Sequence, residues 1–158
     1  MVYWRMSINA KQLQSYVIVP TLVRLGLYSD AAVNLLLLTC AQESEMGEYL
    51  KQINGPALGI YQMEPPTHDD IWNNYLVYQL TLKQKVLDID KQNSINLITN
   101  LAYATAMARI DYLREPAPLP TANDIQGLAH YYKRYYNTDE GAATVEEVVA
   151  NYQRYVNA

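Results

Sequence analysis

Glu43 is the side chain in this sequence best placed to do acid–base chemistry. It lies in Gln42-Glu43-Ser44-Glu45, directly after the apolar run Ala31-Ala32-Val33-Asn34-Leu35-Leu36-Leu37-Leu38-Thr39-Cys40-Ala41. A carboxyl group leaving a greasy helix at its C-terminal end meets apolar neighbours and the negative end of the helix dipole. Both disfavour the charged form. Such a group stays protonated near neutral pH and can give its proton to a leaving oxygen. Nineteen residues later comes Gln62, carried by Gly55-Pro56-Ala57-Leu58-Gly59-Ile60-Tyr61-Gln62-Met63-Glu64-Pro65. The two glycines and two prolines of that loop set a tight path. A loop of this kind returns to the helix end it left, so Glu43 and Gln62 are expected to face one cleft. Glu64 is either a second carboxylate in that cleft or a cap for the next helix. Glu45 and Glu48 read as a solvated face.

The elements that must hold these residues are helices. Ser29 is an N-cap, Asp30 suits the positive end of a helix, and Gly47 is the expected C-terminal stop. The helix between them has about 17 residues and a length of about 25 Å. Its four consecutive leucines cover most of the circumference, so it is expected to be buried nearly all round. Ile8 to Leu27 reads as a preceding helix that Pro20 kinks or divides. Thr67-His68-Asp69-Asp70 reads as the start of a short helix bearing Ile71, Trp72, Tyr75 and Leu76. Thr81 to Lys91 fits a short helix or a packed loop. Asn93-Ser94 is expected to open a long helix to Arg114 with Leu101, Ala102 and Met107 buried, ended by Pro116, Pro118 and Pro120. Thr121 to Asp124 caps a helix to Asn137, and Asn137 to Gly141 forms a turn. Thr144 with Glu147 is a capping box for the last helix, Val145 to Asn157. The expected fold class is mainly α, with residues 1–158 as one domain.

Composition narrows the function. A net charge of −4 and a pI near 5.1 argue against nucleic-acid binding, which wants a basic face. No run approaches the roughly 18 apolar residues of a membrane span. Met1-Val2-Tyr3-Trp4-Arg5 lacks the pattern of a signal peptide. Cys40, the only cysteine, reads as a small buried side chain rather than a catalytic thiol. His68 and His130 lack metal-ligand spacing and read as surface or cap residues. Zinc-protease, P-loop and Gly-x-Ser-x-Gly motifs are absent. No metal or cofactor is expected.

Glu43-Ser44, then Gly55 and Ala57, then Gly59-Ile60-Tyr61-Gln62 with Pro65 resembles the paired motif of soluble lytic transglycosylases and goose-type lysozymes. The resemblance spans about Leu36 to Trp72. It implies a lysozyme-like helical domain, with a short β-hairpin allowed within residues 48–62. It also implies cleavage of the MurNAc–GlcNAc β-1,4 bond of peptidoglycan, with Glu43 as general acid and then base. Gln62 would hold the sugar or the cleft backbone, and Ser44 would brace the loop or the Glu43 carboxylate. The family has a tyrosine on a late helix in an Ala-Tyr-Asn segment. Tyr131, in Gly127-Leu128-Ala129-His130-Tyr131, is the preferred match, and Tyr136-Asn137 is the other candidate. Ser44, Gln62, Glu64 and Tyr131 are therefore the expected substrate contacts. At the position of Glu64 the family usually has an apolar residue, so the usual sugar contact there is replaced.

The fifteen tyrosines, with no phenylalanine, suit both sugar stacking and core packing with a wet hydroxyl. Phage T4-type lysozymes place Asp and Thr where this chain has Gln52 and Leu58, so the single-glutamate group is the closer comparison. The Gly59-to-Gln62 turn resembles transglycosylases more than hydrolases, which implies a 1,6-anhydro product. A cell-wall enzyme without an export signal implies a phage virion component, or an endolysin released from the host cytoplasm. Its partners would be glycan strands and, in a particle, other virion proteins. A virion structural protein that keeps the fold without turnover, and a chitinase-like glycosidase, are the alternatives.

Overall fold

The structure is a computed structural model and describes residues 6–137 and 143–157. Met1 to Arg5 and most of the expected Asn137-to-Gly141 turn lie outside the described residues. The fold is mainly α-helical, and the described residues hold isolated β-bridges but no strand.

Helix α1 (Ala10–Leu13) runs through a π-helical turn (Gln14–Ile18) into α2 (Val19–Leu25). The wider turn just before Pro20 explains why the chain continues there. In an α turn the proline ring would press on the carbonyl of Tyr16, and the π geometry gives it room. Helix α3 (Asp30–Ser44) is capped as expected, with the Ser29 hydroxyl accepting from Ala32 N at 3.0 Å. Leu35, Leu36, Leu37 and Leu38 are all buried. Each contributes roughly 1.5–3 kcal/mol of hydrophobic stabilisation. The helix is packed by the π turn and by the later helices Leu101–Leu113, Ile125–Tyr135 and Val145–Tyr155, which is why no face of it is polar.

The stop of α3 differs from expectation. Glu45, Met46 and Gly47 all have positive φ, at 51°, 57° and 84°. The helix thus ends at Glu45, before Gly47 is reached. A non-glycine residue in this region costs roughly 1–2 kcal/mol. Burial of Met46, and a 2.8 Å bond from Ile8 N to Met46 O, offset that cost.

The connection from residue 45 to residue 64 folds back on itself. In place of a hairpin it has two isolated antiparallel bridges, Lys51 with Leu58 and Leu58 with Met63. Gly59 is required in it. Its φ is 79°, and a Cβ there would sit 1.9 Å from Leu97 O. Helix α4 (Pro65–Asn74) begins with its two prolines rather than at Thr67. First-turn N–H groups have no intrahelical partner, so proline loses nothing there. Helix α5 (Leu80–Leu87) resolves the ambiguous stretch as helical.

The single long helix expected up to Arg114 is two, α6 (Asn96–Thr99) and α7 (Leu101–Leu113). Asn100 breaks it with φ −133° and ψ 104°. Its side-chain oxygen caps Tyr103 N, and its amide donates to Asp90. Leu101 and Ala102 fall in the new first turn and are only partly buried, whereas Met107 is fully buried. Helix α8 (Ile125–Tyr135) is capped by Asp124, and α9 (Val145–Tyr155) carries both halves of the Thr144–Glu147 capping box. No described helix is long and apolar enough to cross a membrane.

Candidate active site

A cleft of about 520 Å³ opens where α3 ends. Glu43 comes from the last turn of α3. Gln52, Gln62 and Glu64 come from the folded connection, Thr67 from α4 and Asp111 from the last turn of α7. Tyr136 and Asn137 close it from the C-terminal end of α8.

Glu43 is half-buried, and burial pushes its carboxyl up to about 7. The Tyr132 hydroxyl opposes that shift by donating a short hydrogen bond to Glu43 Oε2. Asn137 Nδ2 in turn donates to Tyr132 Oη at 3.1 Å. The second amide atom, Asn137 Oδ1, is buried and has no partner among the described residues. A buried acceptor left unmatched is costly unless something in the cleft supplies a donor.

The Gln62 turn is locked to the same end of the molecule. Gln62 has a φ of 49°, and its Nε2 donates to Gly59 O at 2.9 Å. Just before it, Tyr61 O accepts from the Tyr136 hydroxyl at 2.6 Å. The Tyr136 ring stacks on Tyr112 at 5.2 Å and on Tyr132 at 5.9 Å. Glu43 and Gln62 therefore line one cleft, held by the aromatic end of α8.

Ser44 is fully buried and cannot touch a substrate. Its hydroxyl donates to Ile60 O at 2.6 Å and accepts from Gly47 N at 2.8 Å. It braces the loop against the helix end. Tyr131 is also misplaced as a substrate contact. It is 7% exposed, donates to Ala117 O at 2.8 Å, and does not line the cleft. One residue along a helix is a rotation of about 100°. That step turns Tyr131 away and points Tyr132 at Glu43. Glu64 is exposed at the rim, and its side chain caps nothing.

Asp111 was not anticipated. Its side chain is only 13% exposed, and Arg114 Nη2 donates to its Oδ1 at 2.7 Å. Burial pushes its carboxyl up and Arg114 works against this. The visible signal was an aspartate among Ala108, Ile110, Tyr112 and Leu113, near the end of a buried helix. His68 is a core residue rather than a surface one. Its ring nitrogens bond Asp69 Oδ1 at 2.9 Å and the Tyr103 hydroxyl at 2.6 Å. Cys40 is buried, with its thiol pushed up to about 12, which keeps it protonated and inert. Among the described residues no cluster of His, Cys, Asp and Glu could hold a metal. In comparisons with protein-family models, curated proteins and solved structures, nothing matches this chain.

Proposed function

We propose that this chain is a peptidoglycan-cleaving glycosidase on a lysozyme-like helical scaffold, cutting the MurNAc–GlcNAc β-1,4 bond with Glu43 as its acid. The observation that carries the reading is the half-buried Glu43 carboxyl, raised to about 7, in a cleft that also presents Gln62 from a left-handed turn. Backbone held in a sparsely populated region gathers at functional sites. Below about pH 7 Glu43 holds a proton that the glycosidic oxygen needs as its bond breaks. Tyr132 fixes which carboxyl oxygen is tied down, and so which one faces the bond. Once deprotonated, the same carboxylate can accept a proton to reset the site.

The reading carries with it a phage setting, in a virion or as a released endolysin. Its partners are glycan strands and, in a particle, other virion proteins. The test is clearing of purified peptidoglycan, compared with chitin, by wild type and Glu43→Gln. The expected result is clearing of peptidoglycan alone, with a loss of about 10²- to 10⁴-fold in a folded Glu43→Gln. Full activity in that variant would refute the mechanism. Activity on chitin alone would favour the chitinase-like reading, and none on either the structural one.

A further inference from the structure

The cleft has three carboxylates, Glu43, Glu64 and Asp111, and they are held very differently. Glu64 is exposed at the rim and its side chain caps nothing. Asp111 is fixed from behind. Arg114 Nη2 holds its Oδ1 at 2.7 Å, while Arg114 Nη1 holds Asp70 Oδ2 on α4 at 2.6 Å. The guanidinium thus ties the end of α7 to α4 and sets the Asp111 carboxylate in one orientation. That leaves Asp111 Oδ2 without a hydrogen-bond partner among the described residues, on a side chain that lines the cleft.

Asp111 and Glu43 reach this cleft from different helices, and a stack of tyrosines relates them. Tyr112, the neighbour of Asp111, stacks on Tyr136. Tyr136 stacks on Tyr132, which is bonded to Glu43. Burial first, and after it the charges of both carboxylates, push the Tyr136 hydroxyl up. Two carboxyl groups on separate walls of one cleft, one raised to about 7 by burial and one oriented from behind by an arginine, supply the acid and the second carboxyl that a water-dependent displacement uses.

We propose that Asp111 is the base that deprotonates the attacking water, so that this cleft hydrolyses the glycosidic bond instead of forming an anhydro ring. This rests on the glycosidase reading above. The C1–O bond breaks, its electron pair stays on the leaving oxygen, and that oxygen takes the Glu43 proton. The water oxygen bonds to C1 and its proton passes to Asp111 Oδ2. One water is consumed, and solvent carries the proton from Asp111 back to Glu43.

The test is digestion of purified peptidoglycan in H₂¹⁸O, with mass spectrometry of the released muropeptides. Wild type, Asp111→Asn and Arg114→Gln are compared, with thermal melts as the folding control. Wild type is expected to leave reducing ends carrying one ¹⁸O. Asp111→Asn should lose about 10²- to 10⁴-fold in rate, and its residual product should shift towards anhydro ends. Arg114→Gln removes the ion pair but keeps the carboxylate, so its slower product should still carry ¹⁸O. Anhydro ends from wild type, or an unchanged product partition in Asp111→Asn, overturn the assignment and leave Glu43 standing. A product shift in Arg114→Gln equal to that in Asp111→Asn also overturns it, because Asp111 would then act only through the ion pair. No cleavage by wild type defeats the glycosidase reading, and Asp111 with it.

Discussion

Replacing Tyr132 by phenylalanine isolates the force that holds the Glu43 proton affinity down. Burial pushes this carboxyl up to about 7, and the Tyr132 hydroxyl is what opposes it. Phenylalanine keeps the ring that stacks on Tyr136 at 5.9 Å and removes the donor to Glu43 Oε2, together with the acceptor of the Asn137 amide. A hydrogen bond to a charged group is worth about 1.5–3 kcal/mol. One unit of pKa is about 1.4 kcal/mol, so losing the bond should raise Glu43 by about 1–2 units. The direct assay is NMR titration of a ¹³C-labelled Glu43 carboxyl, which needs no substrate. Where the protein turns over peptidoglycan, the alkaline limb of the rate profile should move up by a similar amount, because the acid must be protonated to act. The maximal rate should fall, since Glu43 also loses its orienting bond. An unmoved or lowered Glu43 titration in a folded Tyr132→Phe would refute the reasoning.

Three further outcomes follow from the same geometry. Glu43→Gln should gain stability relative to wild type as pH rises from the unfolded carboxyl value of 4.5 to about 7, and then level off. Over that window native Glu43 binds more protons than unfolded Glu43, so wild-type stability falls by up to about 3 kcal/mol. Paired denaturant melts at pH 4 and pH 8 measure this, and a pH-independent difference would contradict it. Ser44→Ala should cost about 1–3 kcal/mol by leaving the buried Ile60 carbonyl without its donor. A melting temperature equal to wild type would show that the brace is unimportant. Gly59→Ala should be more damaging, because the added Cβ meets the Leu97 backbone oxygen at 1.9 Å in a left-handed conformation. Circular dichroism melts should show a destabilisation of at least about 2 kcal/mol, and an unchanged melt would mean the loop is not seated as described.

Local interactions were the legible part of this sequence. Ser29 caps α3, Asp124 caps α8, and Thr144 with Glu147 closes a box on α9, each within three residues along the chain. The four leucines of α3 announced a buried central helix, and Glu43 followed from being the acid at its end. Gln62 followed from its place on the Gly/Pro loop after that helix. What sequence reading missed depends on partners far along the chain. The Tyr132–Glu43 bond joins residues 89 apart, and nothing local tells Tyr132 from Tyr131 in a helix crowded with tyrosines. Asn100 breaks its helix partly because its side chain finds both Tyr103 N and Asp90. Asp111 becomes a cleft residue because Arg114 reaches Asp70, 44 residues away, and ties α7 to α4. Caps and periodicity act over one or two turns, so residue order suffices to read them. Which face of α7 or α8 meets the cleft is decided by how the helices pack, and only the folded chain contains that information.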